Sequence, residues 1–315
     1  MDIRALEKSI AKLATDSGIV LNKDGYAGWG PTLGDEPEVP EHVGEEKGYL
    51  LAVWPWRRLM VECINYLSIN ALAFQQLVRN EKFQQDLFRA LCSQHVKAAS
   101  DAICVLHMAD HGYVAQSAVI AQSCKESMEA CALFMLDPSA ADVFVGAETL
   151  DEANDVWFST IRKARKAVDK ALTNLAPRDV DTADWMHHKN RLFGALKHPS
   201  HIGPMLNAYV EWEDGRTARP MLPARTLDCV TVFQTIAATC FELASIVLLA
   251  AHGRRDDTSP ATATEDRPYE IAGFFEEDWL DSYASRGHKF MQNLWCFYIE
   301  RQEEQPFVAW RQSRV

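Results

Sequence analysis

Apolar positions recur three and four apart through most of this chain, the spacing of helices with one buried face. Ile3, Leu6, Ile10 and Leu13 predict a short helix over 2–16. A stretch rich in Gly, Pro and acid follows over 17–48, carrying Asp35, Glu36, Glu38, Glu41, Glu45 and Glu46, and reads as a loop that is mobile or ordered on contact. Pro55 at an N1-like position, then Leu59, Cys63, Tyr66, Leu67 and Leu77, predict a helix from Trp56 to Val78. A second long helix spans 81–110 with Gly112 as its C-cap, and a third spans 113–136. Ala115, Ser117, Ala118, Ala121, Ser123 and Ala130 on the third would let a neighbour approach closely. Asp137-Pro138 starts a new helix by turn chemistry, and a basic helix runs over 150–175 until Pro177 closes it.

Residues 184–198, DWMHHKNRLFGALKH, form one further amphipathic pattern stopped by Pro199. Trp185, Leu192 and Leu196 make its apolar side, while Asp184, His188, Arg191 and His198 share a polar stripe. At about 100° per residue, Arg191 and His198 fall within about 20° of each other, two turns apart. Asp214-Gly215, between two mixed runs, signals a hairpin. An apolar helix covers 226–252, a Ser, Thr, Pro and Asp rich linker 253–268, and a last helical region 276–304. The fold class is therefore mainly α, a multi-helix bundle with a small β-hairpin excursion. Its domains read as 1–48 (N-terminal helix and acidic loop), 49–252 (bundle core), 253–268 (linker) and 269–315 (C-terminal helical appendage).

With 315 residues the chain can bury a substantial core without disulfides or a structural metal. Its eight cysteines form no C-x-x-C pair and mostly sit among apolar residues, which reads as reduced core thiols in a cytoplasmic protein. The charged amphipathic start is no secretory leader, and Gln234 and Glu242 interrupt the most apolar segment, so no membrane partner is expected. A net charge of −12 excludes a broadly basic surface for long nucleic acids, with one local exception. Between 156 and 178 six basic residues stand against the single acid Asp169, and Arg162, Lys163, Lys166 and Lys170 share one arc of the basic helix.

Arg191 and His198 are the first candidate for chemistry. A guanidinium forks onto phosphate oxygens at any working pH, and a histidine exchanges protons near neutrality, so the pair is a minimal kit for cleaving RNA without metal or cofactor. His188 or Asp184 would orient it. Arg162, Lys163, Lys166, Lys170 and His201 would bind substrate.

The order Arg, six residues, His resembles the R-x(4 to 6)-H motif of the higher eukaryotes and prokaryotes nucleotide-binding (HEPN) superfamily. Leu192 stands where that family usually has Asn, Asp or His. Over residues 90–250 the chain also resembles a group of uncharacterised all-helical bacterial proteins, through AQSCKESMEACALFMLDP and RLFGALKHPSH, with Phe193 and Ala195 replacing a Tyr and a Ser. The first resemblance implies a helical fold, RNA cleavage or binding, a homodimer and a role in toxin or phage-defence systems; the second carries no activity and marks Glu126, Glu129 and His198 as matched positions.

Two other readings stay open. In one, the bundle and the acidic loop 35–46 dock a partner protein without catalysis, and the polar stripe is a solvated face. In the other, His107, Asp110 and His111, Glu126 and Glu129, and Asp184, His187 and His188 hold a metal from facing helical turns. The Glu-x-x-His pair of such sites is absent, as are a Walker loop, G-x-G-x-x-G, G-x-S-x-G and H-E-x-x-H.

Overall fold

The computed structural model describes residues 3–21, 46–80, 85–111, 113–175, 209–212, 215–218, 228–257 and 284–301. The described residues are mainly helical, in eight helices: α1 (Ile3–Asp16), α2 (Glu46–Asn80), α3 (Gln85–Asp110), α4 (Val114–Leu136), α5 (Pro138–Val145), α6 (Leu150–Leu175), α7 (Asp228–Asp257) and α8 (Ser285–Arg301). Of the hairpin expected around Asp214 and Gly215, Asp214 and the side chains of the flanking segments lie outside the described residues.

Four helices close a ring. α3 packs on α2 and α4, and α7 packs on α4 and α2 from the other side. Short connections join α2 to α3 and α3 to α4, the arrangement of sequential neighbours in a bundle. α4 also meets α5 and α6, so helices surround it. Its sequence suits that position. Ser117, Ala118, Ala121 and Ala130 are all buried, and small side chains let neighbouring backbones come close. α8 packs on α2 and α7, and α1 packs on α8. Trp56 anchors that side, its ring edge-on to Trp295 at 5.2 Å and to Tyr298 at 5.7 Å.

Local chemistry sets several boundaries. Asp137 caps α5 by accepting from the Ser139 N–H, and Pro138 follows at N1. Thr149 and Glu152 form a capping box at the start of α6: the Glu152 carboxylate accepts from the Glu148 and Thr149 N–H groups, and Thr149 Oγ1 accepts from the Glu152 N–H. Those backbone donors hold the Glu152 carboxyl below its ordinary range, the Glu148 N–H first.

Four expectations are corrected. Pro55 lies inside α2, not at its start, because the helix already runs from Glu46. An interior proline costs one helical hydrogen bond, about 3 kcal/mol, and burial of Val53, Trp56, Leu59 and Met60 on the same stretch offsets it. Glu46–Gly48 therefore belong to helix, not loop. α7 continues through Gly253–Asp257, which reads as linker by composition. Cys104 and Cys296 are exposed, so not every cysteine is a core thiol. Among the described residues no helix is long and apolar enough to cross a membrane.

Candidate functional site

Every predicted catalytic residue, Arg191, His198, His188 and Asp184, lies outside the described residues, and so does His201. The rest of the predicted set falls on two packed helices. Arg162, Lys163, Lys166 and Lys170 are all exposed on α6. Ile161, Ala164 and Val168 form the opposite, buried side. A 3.6-residue period explains the division, since 161, 164 and 168 recur on the core face while the four cations fall on an arc of about 100° away from it.

Glu126 and Glu129 face a different cation. Arg165, at the edge of the buried face of α6, donates from Nη2 to Glu126 Oε1 at 2.9 Å, and its Nε stands 3.6 Å from Glu129 Oε2. Gln122 Nε2 donates to the same Glu126 oxygen at 2.8 Å. Lys125 closes the group as the buried partner of Glu129, four residues away on α4. Exposure grades outward through this seam, from 1% at Glu129 through 16% at Glu126 to 40% at Arg165. Two acids and two bases therefore balance between α4 and α6, with the charge on Arg165 reaching solvent beside Arg162 and Lys166.

Sequence reasoning found both glutamates but not their partners. The available signal was Lys125 and Glu129 at i and i+4 in a helix rich in small and apolar residues, where an unpaired charge would be costly to bury. Arg165 carried a weaker one, being the cation of α6 closest to the apolar stripe. A second buried pair, Arg58 Nη2 to Glu62 Oε1 at 2.7 Å, sits on α2.

Among the described residues, the side chains considered as metal ligands do not converge. Asp110 accepts from Arg57 Nε at 3.0 and 3.2 Å, and His111 donates from Nδ1 to the His107 carbonyl. Among the described residues no three His, Cys, Asp or Glu side chains gather as a metal site. His187, like His188 and Asp184, lies outside those residues.

At the centre of the ring, Tyr66, Asn70, His95, Cys131 and Cys240 line a cavity of about 20 Å³ together with apolar residues from α2, α4 and α7. His95 Nδ1 lies 2.8 Å from the Leu91 carbonyl and 3.3 Å from Cys131 Sγ. The carbonyl fixes the proton on Nδ1. Burial lowers the His95 pKa to about 4 and pushes the Cys131 thiol up, so both are neutral near pH 7. That is the reverse of a thiolate and imidazolium couple, and it reads as core hydrogen bonding.

No family model matches the chain, and no curated protein or solved structure matches it significantly.

Proposed function

We propose that the protein binds RNA along the exposed arc of α6 and cleaves it with Arg191 and His198. The carrying observation is the arc itself: four cations, Arg162, Lys163, Lys166 and Lys170, face solvent on one side of one helix in a chain of net charge −12. Concentrated positive charge on a rigid helix is the footprint of phosphate-backbone contact. Arg165 supports the reading, because its bond to Glu126 fixes the rotation of α6 against α4 and so keeps the arc turned outward.

In this reading Arg191 holds a phosphate oxygen, and His198 removes the 2′-hydroxyl proton or protonates the leaving oxygen. His188 or Asp184 orients the imidazole, and His201 adds a further contact. Segment 209–218 is read as a small hairpin, with Tyr209–Trp212 antiparallel to Gly215–Ala218 and Trp212 opposite Gly215. Trp212 is the residue it offers to a base. The resemblance to the HEPN superfamily extends the reading to a cytoplasmic toxin or defence effector.

The test is cleavage of single-stranded RNA with chelator present. Arg191→Ala and His198→Ala should each lose activity and toxicity to growing cells while keeping wild-type helicity. Undiminished cleavage by both variants sinks the catalytic assignment.

A further inference from the structure

The N-terminal half of α6 is exposed nearly all round. Leu150 and Phe158 are large apolar residues with 85% and 67% of their surface in solvent, and Asp151 and Asp155 are exposed beside them. Among the described residues neither aspartate has an ion-pair partner, and neither do Arg162 and Lys166 further along.

All of those but Leu150 share one stripe. At about 100° per residue, Asp151, Asp155, Phe158, Ser159, Arg162 and Lys166 fall within an arc of about 100°, with spacings of four, three, one, three and four. The stripe is acidic at one end, carries an exposed aromatic ring at its middle and is basic at the other end. Such a face is complementary to itself reversed. A two-fold axis between Phe158 and Ser159 sets Asp155 opposite Arg162 of the second copy, and Asp151 opposite Lys166. Both pairs occur twice by symmetry, and the two Phe158 rings meet at the axis. One step further out, Glu148 would oppose Asp169, two acids, so the complementary register stops after the fourth pair.

We propose that α6 is the face on which a second copy of this chain docks, antiparallel and in that register, and that the dimer masks part of the phosphate-binding arc. The masking rests on the RNA reading above; the dimer does not. Arg162 and Lys166 cannot hold Asp155 and Asp151 of the second copy and RNA phosphates together, so the acids of one copy stand in for phosphate on the other. A single helix pair lies at the small end of specific interfaces, below about 1,200 Å², and its charge pairs are exposed to screening. The dimer is accordingly reversible and favoured at low salt.

Sedimentation velocity of the full chain at about 50 mM and about 500 mM salt tests the face. Wild type is expected to dimerise at low salt and to weaken at least tenfold at high salt. Asp155→Arg, which sets two cations face to face, should be monomeric, and adding Arg162→Asp to it should restore the dimer through the swapped pair. A wild type that stays monomeric at low salt overturns the proposal, and so does a dimer that ignores both variants. Titration of a labelled single-stranded RNA of about 20 nucleotides into the wild type then tests masking. RNA is expected to release monomers; RNA bound to an intact dimer overturns the masking. If Asp155→Arg binds no RNA, the phosphate reading fails with the masking, and the dimer result stands by itself.

Discussion

Arg165 Nη2 lies 2.9 Å from Glu126 Oε1, and that contact joins the helix that carries the exposed arc of four cations to the helix at the centre of the bundle. Behind it Glu129 is held between Lys125 on its own helix and Arg165 on the next. The group is neutral as a whole. Each member is nonetheless exposed to the loss of a neighbour, because a charge left alone in the interior keeps its desolvation cost.

Lys125→Met should therefore destabilise the protein by about 3–5 kcal/mol in urea unfolding, by stranding Glu129. Lys125→Met combined with Glu129→Leu should recover most of that loss. Arg165→Ala should cost less than Lys125→Met, since Arg165 is part exposed and Gln122 still holds Glu126. Equal costs for the three variants would mean that the seam contributes packing alone.

His95 gives the fold a pH dependence of defined sign. Its folded pKa of about 4 lies below the ordinary 6.5, so the folded protein binds fewer protons than the unfolded chain between those values. Stability should be full above about pH 6.5 and fall on acidification toward pH 4, by up to about 3 kcal/mol. His95→Leu should flatten that part of the curve. Carboxylates lose their native partners in the same direction, so the comparison is the difference between variant and wild type, not the slope of either.

Phe74 is fully buried and touches both Phe88, stacked at 6.4 Å, and His95, tilted at 5.2 Å. Phe74→Ala should cost about 3–5 kcal/mol in chemical denaturation, with the α2–α3 contact losing an aromatic stack as well as volume. A cost under about 1 kcal/mol would show that the site collapses around the gap.

Along α6, Lys163→Ala and Lys170→Ala each remove an outward cation that the proposed dimer pairs do not use. Each should reduce the salt slope of single-stranded RNA binding by about 0.7, with little change in sequence preference. Unchanged slopes would place the phosphates elsewhere on the molecule.

Much of this arrangement was legible in the order of residues. α6 begins where its pattern places it, at Leu150, and the Thr149 and Glu152 capping box is a local signal for that start. Asp137-Pro138 likewise fixed the start of α5. Pro55 misled, since the rule that puts proline in a first turn is weaker than the burial on either side of it. Lys125, Arg165 and the His95–Cys131 contact were hidden for a different reason. Each depends on which side chain a neighbouring helix brings near, and spacing along one helix does not encode that. Arg191 and His198 lie outside the described residues, so their pairing still rests on their spacing alone.

The ring of α2, α3, α4 and α7 is assembled from unequal parts of the chain. Three of its members follow one another closely, but about ninety residues separate the end of α4 from the start of α7. At about 5–20 residues per second, a ribosome needs roughly 5–20 seconds to cross that interval. During it α2, α3 and α4 can form their local contacts, while the cavity side of α4, with Met128 and Cys131, waits for Cys240 and Leu243. For those seconds the nascent protein is an open trough, and that is the form a chaperone would meet.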